Sequence, residues 1–299
     1  MAFKTALVTG GTRGVGKELV KMFLNRNINV VMTGRNLENV KEIESKINNS
    51  HTTNKAHVTG YKLDFTDLNG SRKILNKLED KEIKPTYLIN NAGVLILDNM
   101  KTITPKRMEI MYAVNTFGPL LLTKYCMEDI MKNKYGAILF NSPPLMIDDK
   151  TKYLMPYMQT KLAQTTFMKS LAHSITSEPD FASTHDILVS SFWTNYPLLT
   201  DAILKTGVGT EEKCMYPSIL SKTVEELLFN TPNRNQYTGK EIIDKSFLTQ
   251  RNIDPSIFKV SRETNTDKEI DDLDTLFLKH LQKLNKYEKN REQNFPVYF

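Results

Sequence analysis

A tyrosine and a lysine lie four residues apart in the stretch YMQTK, as Tyr157 and Lys161. Residues at this spacing share one face of a helix, and Pro156, directly before the tyrosine, suits a helix's first turn. A free tyrosine has a pKa of about 10, which a neighbouring ammonium would lower toward the range useful for catalysis. The pair therefore predicts a proton-transfer site, although a tyrosine and a lysine at this spacing also occur together by chance.

A glycine-rich turn stands near the start of the chain, in LVTGGTRGVG, with glycines at Gly10, Gly11, Gly14 and Gly16. It follows an apolar run and precedes a helical pattern. Glycines permit a tight turn and close backbone approach, and a helix N-terminus offers free N–H groups to a phosphate. The spacing is not G-x-G-x-x-G, but the position between strand and helix favours a pyrophosphate site over a plain turn.

The end of the second predicted strand bears on which dinucleotide would bind. The strand ends in Thr33-Gly34-Arg35-Asn36, without the acidic residue that holds the ribose of NAD. Arg35 stands there instead, and Arg13 lies inside the glycine turn. Guanidinium groups bind phosphate oxygens bidentately, so the sequence predicts a preference for NADP(H) over NAD(H); the alternative is two solvated arginines.

Short apolar runs alternate with helical patterns through most of the chain. This order indicates βαβ units, and we predict an α/β fold: a Rossmann-type, doubly wound parallel sheet flanked by helices. The predicted strands are Thr5–Val8, Asn29–Thr33, His57–Asp64, Tyr87–Ile89, Ala137–Phe140 and Ile187–Phe192. Predicted helices include 70–82, 105–116 and 156–175, with a further run at 118–132.

The C-terminal part of the sequence has a different composition. From about residue 260 it becomes polar and charged, while five apolar residues recur at helical spacing: Ile270, Leu273, Phe277, Leu281 and Leu284. We therefore predict a single dinucleotide-binding domain over residues 1–258 and, over 259–299, a polar extension with an amphipathic helix.

Length and composition exclude several classes of protein. The 299 residues are 40% hydrophobic and 25% charged, and no apolar run approaches the roughly 18 residues of a membrane span. Because no signal peptide is recognisable, we expect a cytoplasmic protein. Two cysteines cannot build a disulfide framework, so we expect Cys126 and Cys214 to be buried and not disulfide-bonded. The five histidines show no metal-ligand spacing, so no metal is expected. The net charge of +6 is dispersed along the chain, which argues against nucleic-acid binding.

Five motifs occur in order at suitable distances: TGGTRGVG, LDFTD, NNAG, VNTFGPLLLT and YMQTK. Together they resemble the short-chain dehydrogenase/reductase family over roughly residues 3–250. NSPPL, SFW…LLTDAI and YTGKEIIDKSFL…RNID are similar to the hydroxysteroid dehydrogenase-like subgroup, whose members often carry a sterol-carrier domain that we do not expect here.

The resemblance implies roles for individual residues. Tyr157 would be the general acid, Lys161 would bind the nicotinamide ribose, Asn115 would hold a water connecting Lys161 to solvent, and Ser142 would polarise the substrate carbonyl. The residues that would contact the cofactor are Gly10, Thr12, Arg13, Gly14, Val15, Gly16, Arg35, Asp64, Phe65, Asn91, Ala92, Gly93, Tyr157, Lys161 and Thr200.

The sequence departs from the family pattern in the loops. The family's serine stands about thirteen residues before the tyrosine, a position occupied here by Pro144, whereas Ser142 precedes Tyr157 by fifteen. Thr151 or Tyr153 could donate in its place. Thr194-Asn195 replaces the usual Pro-Gly, and Thr86 replaces an aspartate often found before NNAG.

We therefore predict an NADP(H)-dependent oxidoreductase acting on a small carbonyl or secondary alcohol. Apolar residues in the segment 193–220 indicate an apolar substrate: Trp193, Tyr196, Leu198, Leu199, Ile203, Leu204 and Met215. The alternative is an NADP(H)-binding sensor or scaffold with weak or no catalysis. By resemblance, a homodimer or homotetramer is expected, paired through the helices that carry Asn115 and Tyr157.

Overall fold

Seven parallel strands form the central sheet. The computed structural model describes residues 4–51, 55–98, 100–146, 154–177, 186–206, 213–260 and 297–298. In chain order the strands are β1 Thr5–Val8, β2 Asn29–Gly34, β3 Val58–Lys62, β4 Tyr87–Asn90, β5 Val94–Leu95, β6 Tyr135–Asn141, β7 Asp186–Trp193, β8 Glu241–Ile243 and β9 Val297–Tyr298. The large sheet has the order β3-β2-β1-β4-β6-β7-β8, and β5 pairs separately with β9.

Helices connect the strands and cover both faces of the sheet. They are α1 Gly14–Asn25, α2 Leu37–Ser50, α3 Arg72–Glu79, α4 Pro105–Tyr112, α5 Gly118–Lys132, α6 Met155–Thr176, α7 Asp201–Thr206, α8 Ser218–Phe229 and α9 Asp244–Thr249. One turn of π-helix, Ala113–Phe117, joins α4 to α5. This arrangement confirms the predicted doubly wound parallel sheet.

Each face of the sheet packs on its own apolar core. Successive strand side chains point to opposite faces, so Leu7 joins one core and its neighbours Ala6 and Val8 join the other. Because both faces are buried, the strands read as continuous apolar runs rather than alternating ones. Cys126 and Cys214 form no disulfide and are both buried in the first core, as the sequence predicted.

Several element boundaries differ from the sequence predictions. The third strand ends at Lys62 rather than Asp64, because the Asp64 carboxylate accepts from Thr66 N and turns the chain. The helix expected over 70–82 starts with a 3₁₀ turn and ends at Glu79, and Lys81 then takes a φ of 58°. The sequence did not predict β5, β8 or β9, which are two or three residues long.

A described part of the predicted C-terminal extension pairs with a strand from the first half of the chain. Val297–Tyr298 forms β9 and pairs antiparallel with β5, with Leu95 opposite Val297. The predicted amphipathic helix, with Ile270 to Leu284, lies outside the described residues. Within the segments that the structure describes, no helix combines the length and apolar character needed to cross a membrane.

Gly136 allows β6 to approach β4 closely. A Cβ atom at this position would lie 2.3 Å from Thr86 O, and φ is 153°. The clash is with the backbone of a neighbouring strand, where Ala137 N donates to the same oxygen at 3.1 Å. No side-chain rotation can relieve it.

We predict that Gly136→Ala lowers the free energy of unfolding by at least about 2 kcal/mol, since β6 must move away from β4. Chemical denaturation measures this change. Gly70→Ala is the matched control, because a Cβ there meets only the flexible ends of Asp67 and Lys62. Equal losses in the two variants would show that the approach of β6 to β4 is not the constraint.

Candidate active site

The order of the strands creates a crevice at one edge of the sheet. After β1 the chain moves to β2 and β3 on one side, whereas β4 and the later strands lie on the other. Ligands of such sheets bind where the order reverses, at the carboxyl ends of the strands. A cavity of about 490 Å³ opens at this edge, lined among others by Arg13, Gly14, Val15, Asn91, Asn141, Tyr157, Lys161, Trp193 and Thr200.

The glycine turn forms one wall of this cavity. Gly10 and Gly14 have φ of 65° and 51°, which residues with a Cβ rarely adopt. A Cβ at Gly16 would lie 2.1 Å from Gly10 O, so the turn closes tightly onto the start of α1. The first turn of α1 contains no acidic residue, and its cap residue makes no side-chain hydrogen bond to it. The N–H groups there are suited to an anion.

Thr9 joins the ends of β1 and β4. Its hydroxyl accepts from Asn91 N and Ala92 N, each at 2.9 Å, and Asn91 Nδ2 donates to Thr9 O at 2.9 Å. Asn141 Nδ2, at the end of β6, donates to Asn91 Oδ1 at 3.1 Å. Asn91 and Ala92 thus steady the strand ends, and Gly93 is buried beside them; their predicted contact with the cofactor stays a prediction.

The two arginines at the predicted phosphate position differ in their surroundings. Arg13 lines the cavity, and its Nη1 lies 3.1 Å from Asp201 Oδ2 at the start of α7. Arg35 is exposed at the end of β2. The Thr12 side chain packs over Gly34, since a Cβ at Gly34 would lie 2.9 Å from Thr12 Cγ2. The glycine turn and the end of β2 are therefore adjacent, as an adenosine phosphate site requires.

Asp64 and Phe65 do not line the cavity. The Asp64 carboxylate accepts from Thr66 N and from Thr66 Oγ1, at 2.9 and 2.6 Å. The Phe65 ring is buried against Gly118, where a Cβ would lie 2.6 Å from it. Their predicted contact with the adenine stays a prediction.

Tyr157 and Lys161 both face the cavity from α6. Pro156 lies in the first turn of this helix, as the sequence predicted, and both side chains are nearly inaccessible, at 5% and 2% exposure. Lys161 Nζ donates to Asn141 O at 2.6 Å and to Gln164 Oε1 at 3.4 Å, and it lies 5.8 Å from the centroid of the Trp193 ring. The phenol and the ammonium thus face the same cavity as the glycine turn.

Burial opposes the ionisation of both groups. It raises the pKa of Tyr157 above the ordinary value for a phenol, and it lowers the pKa of Lys161 to about 7. The protein alone therefore does not produce the lowered phenol pKa that the sequence predicted. The lowering that the sequence predicted from the neighbouring ammonium stays a prediction.

Asn115 lies in the π-helical turn and clamps β5. Its Oδ1 accepts from Val94 N at 2.8 Å, and its Nδ2 donates to Val94 O at 2.8 Å and to Thr160 Oγ1 at 2.9 Å. Both amide hydrogens are used in these bonds. The predicted role of Asn115 in holding a water near Lys161 stays a prediction, and the Asn115 side chain can contribute only an acceptor to it.

Ser142 is fully buried, and its hydroxyl has no hydrogen-bond partner in the described part of the chain. Its neighbours Asn141, Pro143 and Pro144 line the cavity, whereas Ser142 does not. The alternative donors, Thr151 and Tyr153, lie outside the described residues. Asn141, which precedes Ser142, accepts from Lys161, but Ser142 itself does not line the cavity, and its predicted role in polarising the substrate carbonyl stays a prediction.

Asp244 anchors the loop that follows β7. Its Oδ1 accepts from Asn195 N at 2.8 Å, and its Oδ2 lies 2.9 Å from Thr194 Oγ1. Burial raises the pKa of Asp244 to about 6, against the opposing effect of these hydrogen bonds. The Thr194-Asn195 segment, which replaces the family's Pro-Gly, is thus fixed by side-chain bonds instead of by a proline ring.

Sequence reasoning did not identify three polar residues of the site: Thr9, Asp244 and Gln164. An acid directly after a short apolar run, in EIIDK, was an available signal for Asp244. Thr200, which was predicted, lies beside the glycine turn, with its Cγ2 3.3 Å from a Cβ built on Gly14. Five of the predicted apolar residues line the cavity: Trp193, Tyr196, Leu198, Leu199 and Ile203.

Comparison with known sequences places these features in a family. The sequence pattern of the short chain dehydrogenases matches residues 4–179. Hydroxysteroid dehydrogenase-like protein 2 of Xenopus laevis is 24% identical over 265 residues, which are 86% of this chain and 60% of that protein. The chain thus spans about three-fifths of the length of this relative.

Solved structures share the fold at low sequence identity. A short chain dehydrogenase from Mycobacterium thermoresistibile has a TM-score of 0.71 at 19% identity, covering 89% of this chain and 94% of that one. A metagenomic short-chain oxidoreductase in complex with NADP has a TM-score of 0.61 at 19% identity, covering 80% and 95%. A 3-oxoacyl-[acyl-carrier protein] reductase with bound NAD, from Brucella melitensis, has a TM-score of 0.64 at 17% identity, covering 80% and 88%.

The loop anchored by Asp244 is predicted to loosen as the pH rises. The folded-state pKa of about 6 lies above the ordinary value of 3.8, so between these values the folded chain binds more protons than the unfolded chain. Raising the pH through this window therefore lowers the free energy of unfolding, by up to about 3 kcal/mol for a shift of this size. Asn mimics the protonated acid, so Asp244→Asn should remove this dependence.

The measurement is chemical denaturation of both proteins from pH 4 to pH 7. The stability of the wild type relative to Asp244→Asn should fall across this range. Asp254→Asn is a control of opposite sign, because hydrogen bonds to Ser256 lower the pKa of exposed Asp254. A wild-type-minus-Asp244→Asn difference that is constant with pH would contradict the prediction.

Proposed function

The chain belongs to the short-chain dehydrogenase family, and on that premise we propose that it transfers hydride between NADP(H) and a carbonyl or secondary alcohol. The observation that carries the proposal is that Tyr157 and Lys161 line the same cavity as the glycine turn. A donor turn for phosphate and a proton-transfer pair therefore face the same space.

The turn fits a dinucleotide pyrophosphate. The N-terminus of α1 has no acidic residue in its first turn, and Gly16 allows the turn to close tightly onto that helix. Arg13 adds a guanidinium at the rim. These donors all favour an anion, as a bound pyrophosphate requires.

The structural neighbours include one with NADP and one with NAD, so they do not discriminate between the two dinucleotides. The proposed preference for NADP(H) therefore rests on this chain's own residues. Arg35 is exposed at the end of β2, and no acid follows that strand in the Gly34-Arg35-Asn36 turn. Arg13 pairs with Asp201, but that aspartate side chain is 60% exposed, and such pairs contribute little. A phosphate with two negative charges would compete well for Arg13.

In the reaction, the nicotinamide supplies or accepts the hydride when it is bound. Tyr157 donates a proton from its phenol to the substrate oxygen in reduction and accepts it in oxidation. Lys161 binds the nicotinamide ribose, and its charge stabilises the phenolate. Apolar residues that line the same cavity exclude water and favour an apolar substrate: Leu95, Met158, Trp193, Tyr196, Leu198 and Leu199.

A second candidate is an NADP(H)-binding sensor or scaffold with weak or no turnover. Two observations favour it. The Ser142 hydroxyl is buried away from the cavity, and the loop at Thr194-Asn195 lacks the family's Pro-Gly. The retained Tyr157 and Lys161 oppose it, because a protein that only binds the dinucleotide has no need of a buried phenol beside a lysine.

We also propose a homodimer or homotetramer paired through α4, α5 and α6. Tyr112 and Phe117, in the region of Asn115, are 42% and 50% exposed, which is high for aromatic residues on a helix surface. We propose as well that residues 1–258 form a dinucleotide-binding domain and that residues 259–299 form an extension.

Tyr157→Phe should abolish turnover while retaining cofactor binding. Loss of a general acid costs about 10²–10⁴-fold in kcat. The measurement is NADPH oxidation, followed by absorbance, across a panel of apolar ketones and aldehydes, with calorimetry for NADPH binding. Tyr216→Phe, at an exposed tyrosine that does not line the cavity, is the matched control and should retain activity.

Two outcomes would decide against the enzyme. Equal activity in Tyr157→Phe and the wild type would remove Tyr157 as the acid. A wild type that binds NADPH but reduces nothing in a broad panel would favour the sensor or scaffold.

Arg35→Gln should weaken NADPH binding by about tenfold and leave NADH binding nearly unchanged, because only NADPH carries the 2′-phosphate. Calorimetry with each dinucleotide gives both constants. Arg26→Gln is the control, since Arg26 pairs with Glu225 rather than lying at the end of β2. Equal loss of affinity for both dinucleotides would refute the assignment of Arg35 to the 2′-phosphate.

A further inference from the structure

Gln164 is a buried polar residue on the face of α6 that carries Tyr157 and Lys161. It follows Lys161 by three residues, in the sequence YMQTKLAQ, and its exposure is 0%. Burying a primary amide is costly unless it forms hydrogen bonds. The proposed function gives this residue no role.

The one hydrogen bond that holds this amide is to the lysine. Gln164 Oε1 lies 3.4 Å from Lys161 Nζ, and Gln164 Nε2 has no partner among the described residues. The reverse orientation of the amide would place its NH₂ donors against the ammonium, which has only donors. The carbonyl oxygen therefore faces the ammonium.

Two neutral oxygens hold Lys161 from behind. Asn141 O and Gln164 Oε1 accept two of the three ammonium hydrogens, and the third remains for the cavity that Lys161 lines. The backbone oxygen of Asn141 is fixed by β6. Gln164 is therefore the side chain whose identity determines how the ammonium is held.

No carboxylate among the described residues pairs with this ammonium. The groups in contact with it are Gln164 on α6, the Asn141 carbonyl on β6 and the Trp193 ring on β7. Asp201, an acid that lines the cavity, pairs with Arg13, and Asp244, which follows the cavity-lining Ile243, bonds to the Thr194-Asn195 loop. Burial lowers the pKa of Lys161 to about 7, so its charge near neutral pH depends on these two oxygens.

We propose that Gln164 is a positioning residue that holds the Lys161 ammonium beside Tyr157 and stabilises its charged form. The inference rests on the proposed function, which assigns the charge of Lys161 to the ribose and to the phenol. Gln164 itself touches neither substrate nor cofactor and acts through Lys161.

The test is the titration of Lys161 in the free protein, measured by NMR of ¹³C-labelled lysine ε-carbons and assigned with Lys161→Met. It needs neither cofactor nor substrate, so it is independent of whether the protein turns anything over. Gln164→Met keeps the length of the side chain but removes the oxygen, and it should move the titration to lower pH by about one unit. Gln164→Glu supplies a carboxylate of the same shape, and it should move the titration to higher pH.

The same variants should shift the pH profile of kcat/KM for a substrate identified with the wild type. The alkaline limb reports loss of the lysine charge, so it should move to lower pH in Gln164→Met and to higher pH in Gln164→Glu. Met168→Leu, a fully buried apolar residue one turn further along α6, is the control for packing and should move neither profile nor titration.

A Lys161 titration that is the same in the wild type, Gln164→Met and Gln164→Glu would overturn the proposal. Equal shifts in Gln164→Met and Met168→Leu would reduce Gln164 to a packing role. If Gln164→Met fails to fold, the isosteric Gln164→Glu decides alone. A shifted titration in a protein that reduces no carbonyl would uphold the inference about Gln164 while the enzymatic proposal fails.

Discussion

In a sheet whose strands all run parallel, every strand ends at the same edge. The residue that follows each strand is brought to one place, whatever the distance between them in the sequence. The glycine turn follows β1, Asn91 follows β4, Asn141 ends β6, Trp193 ends β7 and Asp244 follows β8. The cavity exists because the strand order reverses between β1 and β4, and the hydrogen bonds of Thr9 hold that junction closed beneath it.

The same architecture places a charged side chain where water does not reach. The Lys161 ammonium extends from α6 to the end of β6, where it donates hydrogen bonds to carbonyl oxygens rather than to a carboxylate. A carboxylate would hold the ammonium charged at every physiological pH and would also cancel its effect on a neighbouring phenol. Neutral acceptors leave the positive charge directed into the cavity, but the ammonium then loses its proton more easily.

The sequence was sufficient where the signal is local. The glycine turn, the proline before Tyr157 and the four-residue spacing to Lys161 each follow from neighbours along the chain, and the apolar runs locate the long strands. Contacts between distant segments were not predictable, because the bonds from Thr194 to Asp244 and from Val94 to Asn115 depend on which strands become neighbours. The burial of Ser142 is of the same kind, since it depends on which segments pack against the end of β6.

Trp193 has a consequence beyond its place in the cavity wall. It is the chain's one tryptophan, and its ring lies 5.8 Å from the Lys161 nitrogen. All tryptophan emission of the unmodified protein therefore originates at this wall. A ligand that enters the cavity, or a change of charge on the lysine, alters the surroundings of that single fluorophore, so the protein carries an intrinsic optical probe where its chemistry is proposed to take place.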